Sequence, residues 1–300
     1  MLRAMQRLFL ALLALLLVQS PSAAQSVQRG VDALDPNSGT ITLAQTDSVL
    51  DLGERYHFYG AADARTILVE MWDNPPSEAE GVLGIIMPAT ATPDQRSWGA
   101  VVTWEPIGWV SGTNAREADY DELLAQMQSA TRAANRQRRA DGFPEVQVMG
   151  WAQEPQHDSV ANTVSWAREL RFFDGSPNTL HYDLRVLGRH GVLSMNVVGT
   201  MDQLAEIRVA AEDLSDRVSF NPGARYADFD AERDEVANYG VAGLVATGVG
   251  VAIVKNAGVL ALLAKLMQPL GIALLVLTAA LATPLRRLFG KQKVGPAVTR

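Results

Sequence analysis

Two apolar stretches without a single carboxylate bracket an acidic body, and this segregation constrains the chain more than any motif in it. Residues 1–24 carry Arg3 and Arg7 and no acid; residues 239–300 carry seven Lys or Arg and again no acid. Between them, the 214 residues Gln25–Asn238 hold all 33 carboxylates against 17 arginines, a net of −16, and every lysine lies at or beyond Lys255. An acidic body between basic, apolar ends fits an exported, membrane-held protein. The body would repel phosphate, so nucleic acid is not an expected partner. The chain has no cysteine. That excludes a disulfide scaffold, a thiolate zinc site, a cysteine nucleophile and a cysteine-borne lipid anchor.

At the N-terminus Arg3 and Arg7 precede the apolar run Leu8–Val18, and Ser22-Ala23-Ala24 follows it. This order predicts a secretory signal peptide over 1–24, cleaved after Ala24. An uncleaved anchor is the alternative, although eleven residues are short for a bilayer core of about 30 Å. At the C-terminus Leu266–Leu285 is a 20-residue, predominantly apolar stretch flanked by Lys265, Arg286 and Arg287. As a helix it would be about 30 Å long, a transmembrane anchor, with Pro269 tolerated in its first turn. Residues 286–300 add Lys291, Lys293 and Arg300. The positive-inside rule then places this tail in the cytoplasm and the body in the periplasm of a bacterial inner membrane. Residues 239–265 are expected to form a Gly-rich apolar pre-anchor helix, interfacial or partly inserted, leading into the anchor. A transmembrane hairpin is its rival reading, but that would leave only Lys255 and Lys265 on the cytoplasmic side. Ala242, Ala246 and Gly250 make a small-residue face, suited to self-association or mere filler.

Residues 25–39 are polar and turn-rich, a linker. Residues 40–238 read as an α+β body with mixed or antiparallel sheets and packed helices, either one domain or two meeting near 142. Strands are expected at Thr40–Ala44, Val49–Leu52, Val82–Met87, Gly99–Trp104, Glu145–Trp151, Asn162–Phe173, Leu180–Leu187, Val192–Val198 and Val218–Phe220. A helix across Ala62–Trp72 stops before Asn74-Pro75-Pro76. Another spans Arg116–Ala140, where Tyr120, Leu123, Leu124, Met127, Ala130 and Ala134 form one stripe. Its acids lie in the first turns and Arg132, Arg136, Arg138 and Arg139 in the last, as the helix dipole favours; an anion-binding patch is the other reading of those arginines. Thr200 and Gln203 form a capping box for a helix bearing Leu204, Ile207, Ala211 and Leu214. Gly188-Arg189-His190-Gly191 is a tight hairpin turn.

In the preceding hairpin, Val164, Trp166, Leu170 and Phe172 are expected to share the inward face with Leu180, Tyr182, Leu184 and Val186. Arg168 is the charged exception on that face. Pairing Phe172 with Tyr182 sets Arg171 opposite Asp183 and Glu169 opposite Arg185, and shifts by two oppose like charges. That register is therefore the expected one.

Catalytic and cofactor motifs are absent. There is no Gly-x-Ser-x-Gly elbow, zincin motif, phosphate-binding loop or calcium loop, and Gly248-x-Gly250 lacks the third glycine of a dinucleotide fingerprint. No catalytic, cofactor-binding or metal residue is therefore assigned. Two constellations remain: His157-Asp158-Ser159, read as a polar turn before a triad, and His181 with Asp183, which could supply two metal ligands from one strand face. Trp98, Trp104 and Trp109 could line a groove, or simply pack.

The strings Gly142-Phe143-Pro144, Val148-Met149-Gly150-Trp151-Ala152, Trp166-Ala167-Arg168-Glu169-Leu170 and Arg185 through Asn196 are similar to a bacterial family of predicted membrane-anchored proteins, domain-of-unknown-function family 2167. Phe220-Asn221-Pro222-Gly223, Arg225-Tyr226-Ala227-Asp228-Phe229 and Val236-Ala237-Asn238-Tyr239-Gly240 extend the likeness, which runs from about Thr40 to the anchor. The resemblance implies the signal-plus-anchor arrangement and no activity or site residue. In element order, Glu145–Phe220 also resembles the small α/β sandwich of the PsbP type, which bears on fold alone. The resulting expectation is an inner-membrane-anchored envelope module, non-enzymatic, binding a protein partner or itself. A periplasmic hydrolase or other enzyme built from distant residues, and a small-ligand sensor, are the alternatives.

Overall fold

The computed structural model describes residues 30–112, 115 and 118–247. The signal segment 1–24, the pre-anchor segment beyond 247, the anchor 266–285 and the tail 286–300 lie outside the described residues. Among the described residues no helix is long and apolar enough to cross a membrane.

The fold is α+β and its strands pair antiparallel. A three-stranded sheet joins β1 (Thr40–Leu43), β2 (Ser48–Asp51) and β10 (Val218–Phe220), with β2 central. A seven-stranded sheet contains β3 (Tyr56–Gly60), β4 (Val82–Pro88), β5 (Gly99–Glu105), β6 (Val146–Asp158), β7 (Thr163–Phe172), β8 (Thr179–Leu187) and β9 (Val192–Thr200) in the order β3-β4-β5-β9-β8-β7-β6. Strands from both sides of residue 142 thus share one sheet, because the β6–β9 meander returns to β5. Strand β3 has no counterpart in the sequence reading. Its aromatic run Tyr-His-Phe-Tyr lacks polar alternation because Tyr56 and Phe58 are buried on one face and Tyr59 on the other.

Among the described residues, four helices pack on the large sheet: α1 (Ala61–Thr66, continued by a π turn over Ile67–Met71), α2 (Tyr120–Ala140), α3 (Leu204–Asp216) and α4 (Val241–Thr247). Helix α2 begins where Asp119 caps it, its side chain accepting from Glu122 N at 2.9 Å. The capping box at Thr200 and Gln203 is present and opens the helical stretch leading into α3.

Both faces of the sheet are buried. On one, Ala167, Leu180, Tyr182, Leu184, Val186, Met195 and Val197 pack with Ile207, Ala211 and Leu214 of α3. On the other, Val164, Trp166, Leu187 and Val192 pack with Met127 of α2 and with Val241, Leu244 and Val245 of α4. This overturns the expected hairpin register. Tyr182 pairs with Ala167, and Phe172 pairs with Val146 across in β6. An odd shift puts the apolar sets of β7 and β8 on opposite faces. The expected pairing assumed one buried face. With helices on both, alternation no longer says which side is inward, and burial outweighs exposed charge pairs contributing about 0.2–1 kcal/mol each.

Candidate functional site

The observed register gathers a polar network on the α2/α4 face of the four central strands. Directly paired positions there are Arg168 with His181, Trp166 with Asp183, Asp183 with Asn196, Arg185 with Ser194, and Ser194 with Thr103. Asp183, 1% exposed, is the hub. Its Oδ2 accepts from Arg168 Nη2 at 2.7 Å, and its Oδ1 accepts from Arg185 Nη2 and from Asn196 Nδ2, each at 3.1 Å. The guanidinium of Arg185 lies 5.1 Å from the Trp166 ring centroid, a cation–π contact inside the fold. Arg168, the charge on an apolar face, thus has its counter-ion on the neighbouring strand.

Glu105 closes the network at the end of β5. It accepts from the Ser194 hydroxyl at 2.6 Å, while its carboxylate stands 3.8 Å from Arg185 Nε. Gly191 approaches the Glu105 carbonyl so closely that a Cβ there would overlap it, which seats the Gly188–Gly191 turn on the strand end. The Glu105 side chain is 29% exposed, against 8% for Arg185. The network is thus open to water at Glu105 and closed at Arg168. Burial, then the Arg168 charge, push the His181 imidazole down to about 4, against opposing effects of Asp183 and Asn196, so it is neutral near pH 7.

Among the described residues, four buried side-chain atoms have no hydrogen-bond partner: Trp166 Nε1, Arg168 Nε, Thr179 Oγ1 and Arg185 Nε. All four belong to residues on this same face of β7 and β8, and three are obligatory donors.

The other residues singled out from sequence are committed to structure. Asp158 accepts from Val160 N at 2.8 Å and Ala161 N at 3.0 Å, an Asx-type turn between β6 and β7. Those N–H groups hold its carboxyl below the ordinary range. His157 packs against Gly112. Trp98 is buried and donates to Glu206 at 2.8 Å; Trp104 meets Phe220; Trp109 stacks on Tyr226 and Phe229 at 4.9 and 4.3 Å. Arg138 donates to the Pro144 carbonyl at 2.8 Å and Arg139 pairs with Glu145, while Arg132 and Arg136 are exposed. His181 and Asp183 do share a face, but Asp183 serves two arginines and an amide. No group of three or more potential metal ligands occurs among the described residues. Sequence reasoning missed Glu105, Ser194 and Asn196. The available signal was the polar series His181, Asp183, Arg185 alternating with a fully apolar series in one strand.

An antiparallel α+β fold of two sheets, with a charged network locked inside the larger one, is the class these elements define. The chain belongs to the family described as protein of unknown function (DUF2167), whose model matches residues 35–281. No curated protein sequence matches it. Among solved structures it is similar to the solution structure of cyanobacterial PsbP (CyanoP) from Synechocystis sp. PCC 6803. That match has 8% identity and a TM-score of 0.34, covering 63% of this chain and 92% of that one.

Proposed function

We propose that this chain is an envelope protein tethered to the bacterial inner membrane through Leu266–Leu285, with its α+β body in the periplasm and its tail in the cytoplasm. The body works by binding a protein partner or a second copy of itself, not by catalysis. The observation that carries this reading is the seating of α4. Val241, Leu244 and Val245 are each 0% exposed and packed in the core that holds Trp166. The last described helix before the long apolar stretch of the sequence is therefore rooted in the fold. The acidic body and basic tail support the same topology.

Cysteine labelling tests it, since the chain has no native thiol. Ser176→Cys, in the exposed turn after β7, and Ala297→Cys are made separately and treated with a membrane-impermeant maleimide. Labelling at 176 in cells with a permeabilised outer membrane, and at 297 only once the inner membrane is opened, is the expected result. Labelling of both before that step would make the C-terminal region a hairpin, and labelling of 297 alone would overturn the reading. Crosslinking at native expression should then trap a homo-oligomer or one discrete partner.

A further inference from the structure

We propose that the Glu105 end of the buried network is a binding site for a small carboxylate, whose carboxylate group displaces the Glu105 side chain and is held by Arg185 Nε and the Ser194 hydroxyl. Three observations converge on it. First, two of the unpartnered buried donors stand toward this end of the network, Arg185 Nε and the Nε1 of Trp166, whose ring meets the Arg185 guanidinium, while Asp183 already accepts from three donors. An acceptor-rich guest is the chemical complement of those donors. Second, Arg185 Nε faces the Glu105 carboxylate at 3.8 Å, an ion pair too long for a hydrogen bond, so the guanidinium's outward edge is only loosely engaged. Third, the Glu105 side chain is 29% exposed, and Thr103, two residues before it on the same strand, is partly exposed as well.

Charge balance selects the class of ligand. Arg168 and Arg185 are offset by Asp183 and Glu105. A monocarboxylate head that replaces Glu105 leaves the buried charge unchanged, since Glu105 swings into solvent as the ligand enters. A phosphate dianion would add an uncompensated charge and its desolvation cost. Glu105 is thus a built-in stand-in for the ligand's own head group. This site is independent of the membrane tether: the labelling experiment and the titration below can fail separately.

The test is a titration of the full-length chain in detergent micelles with acetate, succinate and inorganic phosphate, following the arginine Nε–Hε resonances by NMR. Succinate is expected to move the Arg185 signal, identified by its loss in Arg185→Lys. Glu105→Gln, which removes the competing charge from a partly exposed position, is expected to tighten succinate binding by on the order of tenfold, equivalent to about 1.4 kcal/mol. Wild type and Glu105→Gln both silent to acetate and succinate would overturn the site. Tighter binding of phosphate than of either carboxylate would overturn the ligand class. Unchanged affinity in Glu105→Gln would overturn the displacement.

Discussion

Asp183 is the hub of the buried charges described above, accepting from Arg168, Arg185 and Asn196. It is shared by Arg168 and Arg185, both nine-tenths buried, so Asp183→Asn leaves Arg168 without its counter-ion and Arg185 with only the more distant Glu105. Removing one partner of a buried pair costs about 3–5 kcal/mol, and urea unfolding of the variant should show a loss of that order. His181 adds a pH dependence whose sign follows from its depressed folded value. The unfolded imidazole takes up a proton near pH 6.5, whereas the folded one resists until about 4. Stability is therefore lost as pH falls between those values, by no more than about 3 kcal/mol. His181→Gln should flatten that part of the urea-midpoint profile. At this scale the sequence was legible only in part. That Arg168 was out of place on its face could be read from alternation, as could His181 and Asp183 sharing a strand face. Which residue answers it could not, since that depends on a register that alternation leaves open when both faces of a sheet are covered.

The exposed side of β6 shows how an element can be closed without another strand. Asn135 of α2 donates to the Val146 carbonyl at 2.8 Å and accepts from Val146 N at 2.9 Å, and Gln128 donates to the Val148 carbonyl at 3.1 Å. Amide side chains thus take the places a neighbouring strand would fill. Asn135→Ala strands both backbone groups and should cost about 1–3 kcal/mol in urea unfolding. Because the edge is then unpaired, faster aggregation on heating, followed by light scattering, should accompany the loss. The helix itself was readable from its stripe, its acidic start and its Asp-Gly stop. Its amide contacts were not, because Gln128 and Asn135 lie where the apolar stripe meets the polar flank, and their partners are backbone groups with no sequence signature. Irregular pairing also carried β6 from the expected Trp151 out to Asp158, since its register slips in three places and hides the period of two.

Across the whole molecule, the segment between β10 and α4 works as a strap. Trp109 is sandwiched against Tyr226 and Phe229, Arg189 grips Asp234 through two bonds at 2.7 and 3.0 Å, and Trp109 bridges Val236. Gly108, at φ 84°, lets the strap's Glu235 carbonyl approach closely, which a side chain there would block. Trp109→Ala should release the strap while the sheet stays intact. Trypsin would then cut at Arg225 or Arg233 well before it attacks the body, with far-ultraviolet circular dichroism barely changed. Leu244→Asp should do the same from the other end, by driving a charge into the core that seats α4. Nothing in the composition announced the strap, since residues 221–240 carry no apolar periodicity and their order comes from distant aromatic partners. The rooting of α4 has one more consequence, and it is mechanical. A load applied through residue 247 falls first on a seven-residue helix held by side-chain contacts, and no strand of the sheet lies directly in its path. The molecule should yield in stages under tension, helix and strap before sheet, so that a pull from the C-terminal side is absorbed as a short extension while the β-structure and the charges inside it stay in register.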